Sequence, residues 1–165
     1  MNAGLAITAF MEVAKVLHVE IDGELIKHAI KTTTVPGRFE EVLPNVYFDG
    51  AHNPASIQAL VQTLQTYYPN KQVEIILGML KDKDVKQVLQ MLEPIASKMQ
   101  FIDIPNDRAL SAKQFYELSN HANKEIVQDA LSAIFAPIPP NTIRIVTGSL
   151  YLLANIREKI KYSSK

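Results

Sequence analysis

The sequence predicts an α/β fold: a mainly parallel sheet with helices on both faces and an antiparallel hairpin at one edge. Two patterns lead to this prediction. From residue 38 onward, short apolar runs alternate with amphipathic stretches, and helical connections between strands imply right-handed crossovers. Before that point the chain shows only helical periodicity, which predicts a separate helical segment at the amino end.

The helical segment is predicted to cover residues 1–31. Apolar residues recur at helical spacing from Leu5 to Leu17, and a weaker helical pattern runs from Asp22 to Ile30. Three consecutive threonines then precede Val35-Pro36-Gly37, and this β-branched, proline-containing stretch favours an extended connector. We therefore place a domain boundary after residue 31, with a second domain over residues 32–165.

The second domain is predicted to contain six strands separated mostly by helices. The predicted strands cover residues 38–43, 45–49, 73–77, 99–104, 125–126 and 143–147. The first two form a hairpin with its turn around Pro44-Asn45. Predicted helices start after residues 53, 84, 111, 127 and 149. This order of strands and helices is Rossmann-like.

Composition limits the classes of function. Lysine and arginine total 17, as do aspartate and glutamate, so no net charge attracts the chain to nucleic acid or anionic lipid. The absence of cysteine excludes disulfides and thiol catalysis, and fits a cytoplasmic location. The first 17 residues lack a basic start, and Glu12 and Lys15 interrupt their apolar face, so we expect neither a signal peptide nor a membrane span.

The most informative segment connects the second predicted strand to a helix and reads Asp49-Gly50-Ala51-His52-Asn53-Pro54. Asn53 suits the N-cap, and Pro54 suits the first helical position. Asp49 and His52 then lie between the carboxyl end of a strand and the amino end of a helix. Ligands bind there in open α/β sheets, and helix amino ends favour anions such as phosphates. We expect the chemistry at this turn.

Three further turns are predicted to share this edge of the sheet, because all strand-to-helix turns of a parallel sheet do. They cover residues 78–84, 105–111 and 147–149. Each also has a simpler explanation, since Asp82, Asp84, Ser111 and Ser149 are competent helix caps. His52 by itself is as compatible with a structural role as with a catalytic one.

Several motifs resemble folylpolyglutamate synthase / dihydrofolate synthase, a family of ATP-dependent Mur-type amide ligases. The first pair is Val35-Pro36-Gly37-Arg38-Phe39-Glu40 followed by the turn at residues 49–54. The others, in the family's order, are Gly78-Met79-Leu80-Lys81-Asp82-Lys83-Asp84, Arg108-Ala109-Leu110 and Thr147-Gly148-Ser149-Leu150-Tyr151. Asn2-Ala3 resembles a helix start near the end of the family's central ATPase domain, so residues 1–31 are expected to be the tail of that domain.

One departure from the family is large. A Mur-type ligase needs a glycine-rich phosphate loop that ends in Gly-Lys-Ser/Thr, and none of the six glycines here is followed by lysine. The family's central-domain magnesium ligands have no match either. The resemblance therefore covers the C-terminal domain, and we expect no metal site on this chain and no activity from the chain alone.

The resemblance implies ATP-dependent ligation of glutamate to a folate or dihydropteroate carboxylate through an acyl phosphate, with Mg²⁺ held by the missing N-terminal ATPase domain. Arg38 and His52 would act at the phosphates, Asp49 at the ribose and Asn2 at the adenine. Asp82, Lys83 and Ser149 would lie on the glutamate or folate side. A second interpretation stays open, in which the chain is a stand-alone, non-catalytic nucleotide-binding or interaction module.

Overall fold

The computed structural model describes residues 2–163, with side chains described for residues 4–160. Contacts divide the chain into two compact units, Met1–Val35 and Pro36–Lys165. This division falls a few residues after the boundary predicted from the sequence. The assignment of the first unit to a neighbouring ATPase domain stays a prediction.

The first unit consists of two helices, α1 (Asn2–Val16) and α2 (Gly23–Thr32). Asp22 caps α2, since its carboxylate accepts a hydrogen bond from the Glu24 N–H at 2.8 Å. None of the α2 residues, all of which the structure describes, is buried. A groove of about 680 Å³ within this unit is lined mostly by apolar side chains, among them Ile7, Phe10, Leu25, Ile26 and Ile30.

The second unit contains one six-stranded sheet in the order β1-β2-β6-β3-β4-β5. The strands are β1 (Glu40–Leu43), β2 (Val46–Asp49), β3 (Gln72–Leu77), β4 (Lys98–Ile102), β5 (Lys124–Val127) and β6 (Thr142–Thr147). Only the β1–β2 hairpin at one edge is antiparallel, and every other pairing is parallel. The predicted fold class is confirmed.

Four helices connect these strands and a fifth follows β6, and together they cover both faces of the sheet. They are α3 (Pro54–Tyr67), α4 (Val85–Leu92, followed by a 3₁₀ turn), α5 (Ala112–Leu118), α6 (Ala130–Phe135) and α7 (Leu150–Ser163). Side chains of α3, α4 and α5 pack against one face, around Ile75 and Leu77. Side chains of α6 and α7 pack against the other face, around Ile76 and Val146. Both faces are apolar because alternate residues of each strand point to opposite sides.

A buried ion pair lies on the α6–α7 face of the sheet. Nη2 of Arg144 in β6 donates to Oε2 of Glu74 in β3 at 2.6 Å. Its Nη1 donates to the carbonyl oxygens of Ala133 and Ala136 at 2.7 and 2.8 Å. Arg144 is only 3% exposed. The guanidinium therefore satisfies carbonyl groups that the last turn of α6 leaves without helical partners.

Candidate functional site

Three of the four predicted turns are joined directly by hydrogen bonds. The Ala51 carbonyl in the first turn accepts from the Gly148 N–H at 2.9 Å and from the Thr147 hydroxyl at 3.2 Å. The Thr147 carbonyl in turn accepts from the Gly78 N–H at 3.3 Å. The turn after β6 therefore lies between the turns after β2 and β3, as the sheet order requires.

The fourth turn, after β4, is joined to the turn after β3 in the same way. The Leu110 N–H donates to the Met79 carbonyl at 3.0 Å, and the Lys81 N–H donates to the Arg108 carbonyl at 2.8 Å. These bonds fasten the turn after β4 to the turn after β3. All four turns therefore form one continuous rim at the carboxyl edge of the sheet, as the sequence predicted.

Gly148 is required where the central turns meet. Its φ is +105°, a conformation that other residues rarely adopt, and a Cβ there would lie 2.5 Å from the Gly78 carbonyl oxygen. Since that oxygen belongs to the backbone, it cannot move aside. The glycine therefore permits the close approach on which the rim depends.

A cleft of about 230 Å³ opens between these turns. It is lined by His52, Leu80, Asp82, Lys83, Arg108, Gly148, Ser149, Leu150 and Tyr151. The structure thus brings together four of the residues predicted from sequence, namely His52, Asp82, Lys83 and Ser149. Two cationic side chains, an imidazole and a hydroxyl around a small cleft are suited to an anionic ligand with hydrogen-bonding groups.

Arg108 is a cleft residue that the sequence analysis did not include among the site residues. It occurs in the Arg-Ala-Leu element that resembles the family, so that element was the available signal.

Asp82 and Lys83 form an exposed ion pair at the cleft, with 3.3 Å between Nζ of Lys83 and Oδ2 of Asp82. The hydrogen bond from Lys83 holds the pKa of Asp82 below its usual range.

Ser149 is buried, and its side chain caps α7, the helix that follows the last turn of the rim. Its Oγ accepts a hydrogen bond from the Tyr151 N–H at 3.1 Å. Only 4% of the residue is exposed, yet it lines the cleft. The capping role proposed from sequence and a place at the cleft are therefore both observed for the same residue.

His52 is oriented by its own turn. Its Nδ1 lies 2.8 Å from the Gly50 carbonyl oxygen, which can only accept a hydrogen bond. The proton of the neutral ring is therefore assigned to Nδ1, which leaves Nε2 as an acceptor, or as a second donor once the ring is protonated. The helix that follows starts as predicted, since Asn53 caps it by accepting from the Ser56 N–H at 2.9 Å and Pro54 is its first residue.

Asp49 at the end of β2 fixes the surrounding backbone. One carboxylate oxygen accepts from the Ala51 N–H and the other from the Phe39 N–H, each at 2.9 Å. Burial raises the pKa of this carboxyl, while the two N–H groups and the nearby Arg38 charge oppose that rise. Each oxygen still has a lone pair available, since a carboxylate oxygen can accept two hydrogen bonds.

Arg38 lies beside the cleft and does not line it. Its guanidinium rests against Gly50, because a Cβ at position 50 would lie 2.6 Å from Nη1 of Arg38. The same Cβ would lie 2.4 Å from Cδ2 of Leu150, which does line the cleft. Arg38 and the cleft-lining Leu150 therefore both lie against Gly50, at the same edge of the sheet.

Other expectations fall outside what these contacts describe. Asn2 is the first residue of α1, and its side chain lies outside the described part of the chain. Among the residues that the structure describes, no group of three or more His, Asp or Glu side chains could hold a metal ion. No helix in the described range is both long and apolar enough to cross a bilayer.

The fold and the rim agree with a known family. The model of the family described as "Mur ligase, glutamate ligase domain" matches residues 37–150, which include all four turns. The chain therefore belongs to the glutamate ligase domain family of Mur ligases.

Within this family, the chain is similar to proteins of one type. The dihydrofolate synthase/folylpolyglutamate synthase of Bacillus subtilis is 33% identical to the chain over 97% of the chain and 38% of its own length. A solved structure of Escherichia coli FolC in complex with DHPP and ADP superimposes with a TM-score of 0.83 at 26% identity, over 99% of this chain and 39% of that one.

A third similar protein is the bifunctional folylpolyglutamate synthase/dihydrofolate synthase of Yersinia pestis complexed with AMPPNP and a Mn ion. It has a TM-score of 0.76 and 25% identity, and the match covers 89% of this chain and 37% of that one. The chain thus spans less than two fifths of the length of each of these relatives.

Proposed function

We propose that this chain is the C-terminal domain of an ATP-dependent folate–glutamate ligase of the folylpolyglutamate synthase/dihydrofolate synthase type. The observation that carries the proposal is the rim of four hydrogen-bonded turns, whose cleft is lined by His52, Lys83, Arg108 and Ser149. The similarity to dihydrofolate synthase/folylpolyglutamate synthase over almost the whole chain supports it.

In the proposed reaction, a carboxylate oxygen of the folate or dihydropteroate attacks the γ-phosphorus of ATP, and ADP leaves. The glutamate amine then attacks the resulting acyl phosphate, and inorganic phosphate leaves as the amide forms. The protein must neutralise phosphate charge and keep water away from the acyl phosphate. A domain that closes over a nucleotide held elsewhere contributes to both.

The nucleotide side of the proposed site consists of Arg38, Asp49 and His52. The Arg38 side chain is exposed and permanently charged, so it can pair with phosphate oxygens. His52 can donate to a phosphate oxygen from Nε2 when the ring is protonated. Asp49 would accept the ribose hydroxyls with its remaining lone pairs, and Asn2 would contact the adenine.

The amino-acid side of the proposed site is the cleft itself. Lys83 and Arg108 supply positive charge for the carboxylates of glutamate or of the folate tail. Asp82 pairs with Lys83 and restrains it at the cleft, and the Ser149 hydroxyl remains able to donate a hydrogen bond. The proposal assigns no metal ligand to this chain, because it places Mg²⁺ with the nucleotide on the partner domain.

The proposal requires a partner domain that binds ATP and Mg²⁺. The first unit supports this requirement, because it exposes large apolar side chains that isolated domains seldom leave in water, including Leu5, Phe10, Val16 and Leu25. The greater length of the relatives supports it as well. A cytoplasmic location for the complete enzyme is part of the same proposal.

A hybrid enzyme tests the proposal. The chain replaces the matching segment of the Bacillus subtilis relative, and ADP release is measured with and without dihydropteroate or folate, and with and without glutamate. We expect ADP release that depends on both substrates in the hybrid and none from the isolated chain. Turnover by the isolated chain, or a folded hybrid without substrate-dependent turnover, would contradict the proposal.

Single substitutions in the hybrid test the nucleotide side. Arg38→Ala, Asp49→Ala and His52→Ala are each expected to lower kcat/KM at least about tenfold, which corresponds to about 1.4 kcal/mol of transition-state stabilisation. Lys86→Ala, an exposed residue of α4 away from the cleft lining, serves as the control and should leave the kinetics unchanged. Unaltered kinetics in all three variants would remove this site assignment.

A further inference from the structure

The loop that carries Arg38, residues 36–40, adopts an unusual backbone conformation. Gly37 has φ +69° and Phe39 has φ +44°. A residue other than glycine in the left-handed region is strained, and such a conformation persists only where surrounding contacts impose it. The direction of the Arg38 side chain therefore depends on what holds this loop.

Part of the support comes from β2 and the turn after it. The Gly50 N–H donates to the Gly37 carbonyl at 2.7 Å, and the Asp49 carboxylate accepts from the Phe39 N–H. The Phe39 ring also stacks on Tyr47, with 4.8 Å between the ring centroids. These contacts hold the carbonyl side of Gly37 and the whole of Phe39. They leave the Gly37 N–H to another partner.

That partner is Glu40, whose carboxylate also binds Arg157 in α7. Its Oε2 accepts from the Gly37 N–H at 2.8 Å. Arg157 in α7 clamps the same carboxylate with both terminal nitrogens, from Nη1 to Oε1 at 3.1 Å and from Nη2 to Oε2 at 2.5 Å. The guanidinium carbon of Arg157 also lies 5.9 Å from the centre of the buried Phe48 ring. A bidentate ion pair of this kind restricts the orientation of both side chains more than a single hydrogen bond does.

We infer that Arg157 and Glu40 are positioning residues for Arg38. Arg157 orients the Glu40 carboxylate, the carboxylate holds the Gly37 N–H, and the left-handed turn at Gly37 directs the next residue, Arg38, toward Gly50, beside the cleft. The catalytic consequence of this inference rests on the proposed role of Arg38 at the phosphates. The structural consequence for the loop does not.

Helix α7 gives this network a second connection to the site. Leu150 at its start lines the cleft, and Cδ2 of Leu150 would lie 3.4 Å from a Cβ at Gly37. One helix therefore shapes the cleft with its first turn and holds the Arg38 loop with Arg157, about two turns further along. Neither Arg157 nor Glu40 lines the cleft, so a substitution at position 157 can alter the orientation of Arg38 without changing a cleft-lining side chain.

Amide hydrogen exchange on the isolated chain tests the structural consequence. Arg157→Met keeps an unbranched apolar stem near Phe48 and removes the guanidinium. We expect the Gly37 amide to exchange at least tenfold faster in this variant, while core amides of β3 exchange as before. Glu158→Met, a change at the exposed neighbouring position of α7, is the matched control. Equal Gly37 exchange in the two variants would overturn the inference.

A double-mutant cycle in the hybrid ligase tests the catalytic consequence. Arg157→Met is expected to raise KM for ATP or lower kcat about tenfold, with partial recovery in Arg157→Lys. In an Arg38→Ala background the same change should cause no further loss, because the residue through which it acts is gone. If the double variant shows the product of the two separate losses in activity, the inference is overturned.

The two experiments separate this inference from the proposed function. If Arg38→Ala leaves ligation unchanged, the role of Arg38 at the phosphates fails and the catalytic consequence fails with it. The exchange rate of the Gly37 amide still decides whether Arg157 and Glu40 hold the loop. A fast-exchanging Gly37 amide together with kinetic losses that multiply independently would overturn the positioning role and show that the pair supports only the structure of the loop.

Discussion

Glycines 50 and 148 both allow close contacts at the rim, but their neighbours differ in kind. A Cβ at Gly148 would meet a backbone oxygen at 2.5 Å, whereas a Cβ at Gly50 would meet the ends of the Leu150 and Arg38 side chains. Side-chain ends can rotate away at modest cost, and a strand-end carbonyl cannot. Gly148 also has the positive φ, which adds backbone strain to any substitution there.

We therefore expect Gly148→Ala to lower the free energy of unfolding by about 2–5 kcal/mol and Gly50→Ala by about 1–2 kcal/mol. Urea unfolding of the isolated chain measures both values. Gly4→Ala is the control, since a Cβ at this helical position meets no atom within 4 Å and should be neutral or slightly stabilising. A larger loss at position 50 than at position 148 would contradict this explanation.

Glu40 makes the stability of the chain depend on pH in a defined direction. The hydrogen bond from Arg157 lowers the pKa of the Glu40 carboxyl below its usual value of 4.5. A carboxyl whose pKa is lower in the folded state contributes stability above its unfolded-state pKa, and the contribution disappears as pH falls through the folded-state value. The contribution of this carboxyl is therefore complete at pH 7.

The corresponding prediction concerns Glu40→Gln. At pH 7 this variant should be less stable than the unmodified chain by about 1 kcal/mol, the usual net contribution of one hydrogen bond, since this ion pair is only partly buried. The difference should shrink as the pH falls below 4.5 and vanish below the lowered pKa of the folded state, as measured by urea unfolding over the acidic range. If the difference in the free energy of unfolding stays constant with pH, the charge of the Glu40 carboxylate does not stabilise the fold and the prediction is wrong.

Individual residues could be predicted from the sequence where their partners are close in the chain. The cap at Asn53 involves Ser56, and its signal was a polar residue immediately before a proline and an amphipathic stretch. The pairing of Glu40 with Arg157 joins residues on β1 and α7, and no local pattern indicates it. Contacts of that kind require the fold to be known first.

Helix α6 is the shortest of the helices in the described second unit, and it depends on β6 for its carboxyl end. Arg144 supplies hydrogen bonds to its last carbonyls and pairs with Glu74. Both charged side chains are almost fully buried, with the Arg144 residue 3% and the Glu74 residue 8% exposed. Removing either partner leaves the other with unsatisfied polar groups in an apolar layer.

The two members of this pair are not equivalent. Arg144→Met leaves a buried carboxylate and several carbonyls without donors, so we expect a loss of about 3–5 kcal/mol in the free energy of unfolding. Glu74→Gln keeps an acceptor oxygen for the guanidinium, and the loss should be smaller. Thermal and urea unfolding of both variants measure the difference, and an equal loss would contradict this account.

At the level of elements, the sequence predicted every strand of the sheet, and the errors lie at the element ends. The first strand was predicted from residue 38 and starts at Glu40, because the left-handed residues Gly37 and Phe39 turn the chain before it. The strand predicted over residues 99–104 ends at Ile102. Apolar periodicity finds buried segments well, but Ile104 is apolar because it packs in a core and not because it is in a strand.

At the level of the whole molecule, the sheet-bearing unit contains its own hydrophobic cores. Both clusters of buried apolar residues consist of side chains from residue 46 onward, and the partly buried residues packed against them begin at Phe39. A segment with two complete cores on either side of one sheet satisfies the usual requirement for independent folding.

We therefore expect residues 36–165 to fold without residues 1–35. Their thermal midpoint should match that of the complete chain within about 2–4 °C, the range that roughly 1 kcal/mol represents for a unit of this size. Circular dichroism measures the transition, and the shortened chain should also remain monomeric more readily, because it lacks the apolar groove of the first unit. A molten or strongly destabilised product would show that the two units depend on each other.

The candidate site was predictable from sequence to the extent that topology alone determines it. Parallel strands place their following turns at one edge, so His52, Lys83 and Ser149 were expected together before the fold was known. The position of Arg38 beside the cleft and outside its lining was not predictable, because it depends on how Arg38 and Leu150 pack at Gly50.

The position of β6 also determines when the site can form during synthesis. This strand is the last in the chain, yet it lies between β2 and β3 and pairs with both. Until it emerges from the ribosome, those two strands have unpaired edges that invite association with other chains. The rim is therefore assembled only after β6 has been synthesised, and a polypeptide that stops short of Thr142 has neither a complete cleft nor a continuous sheet.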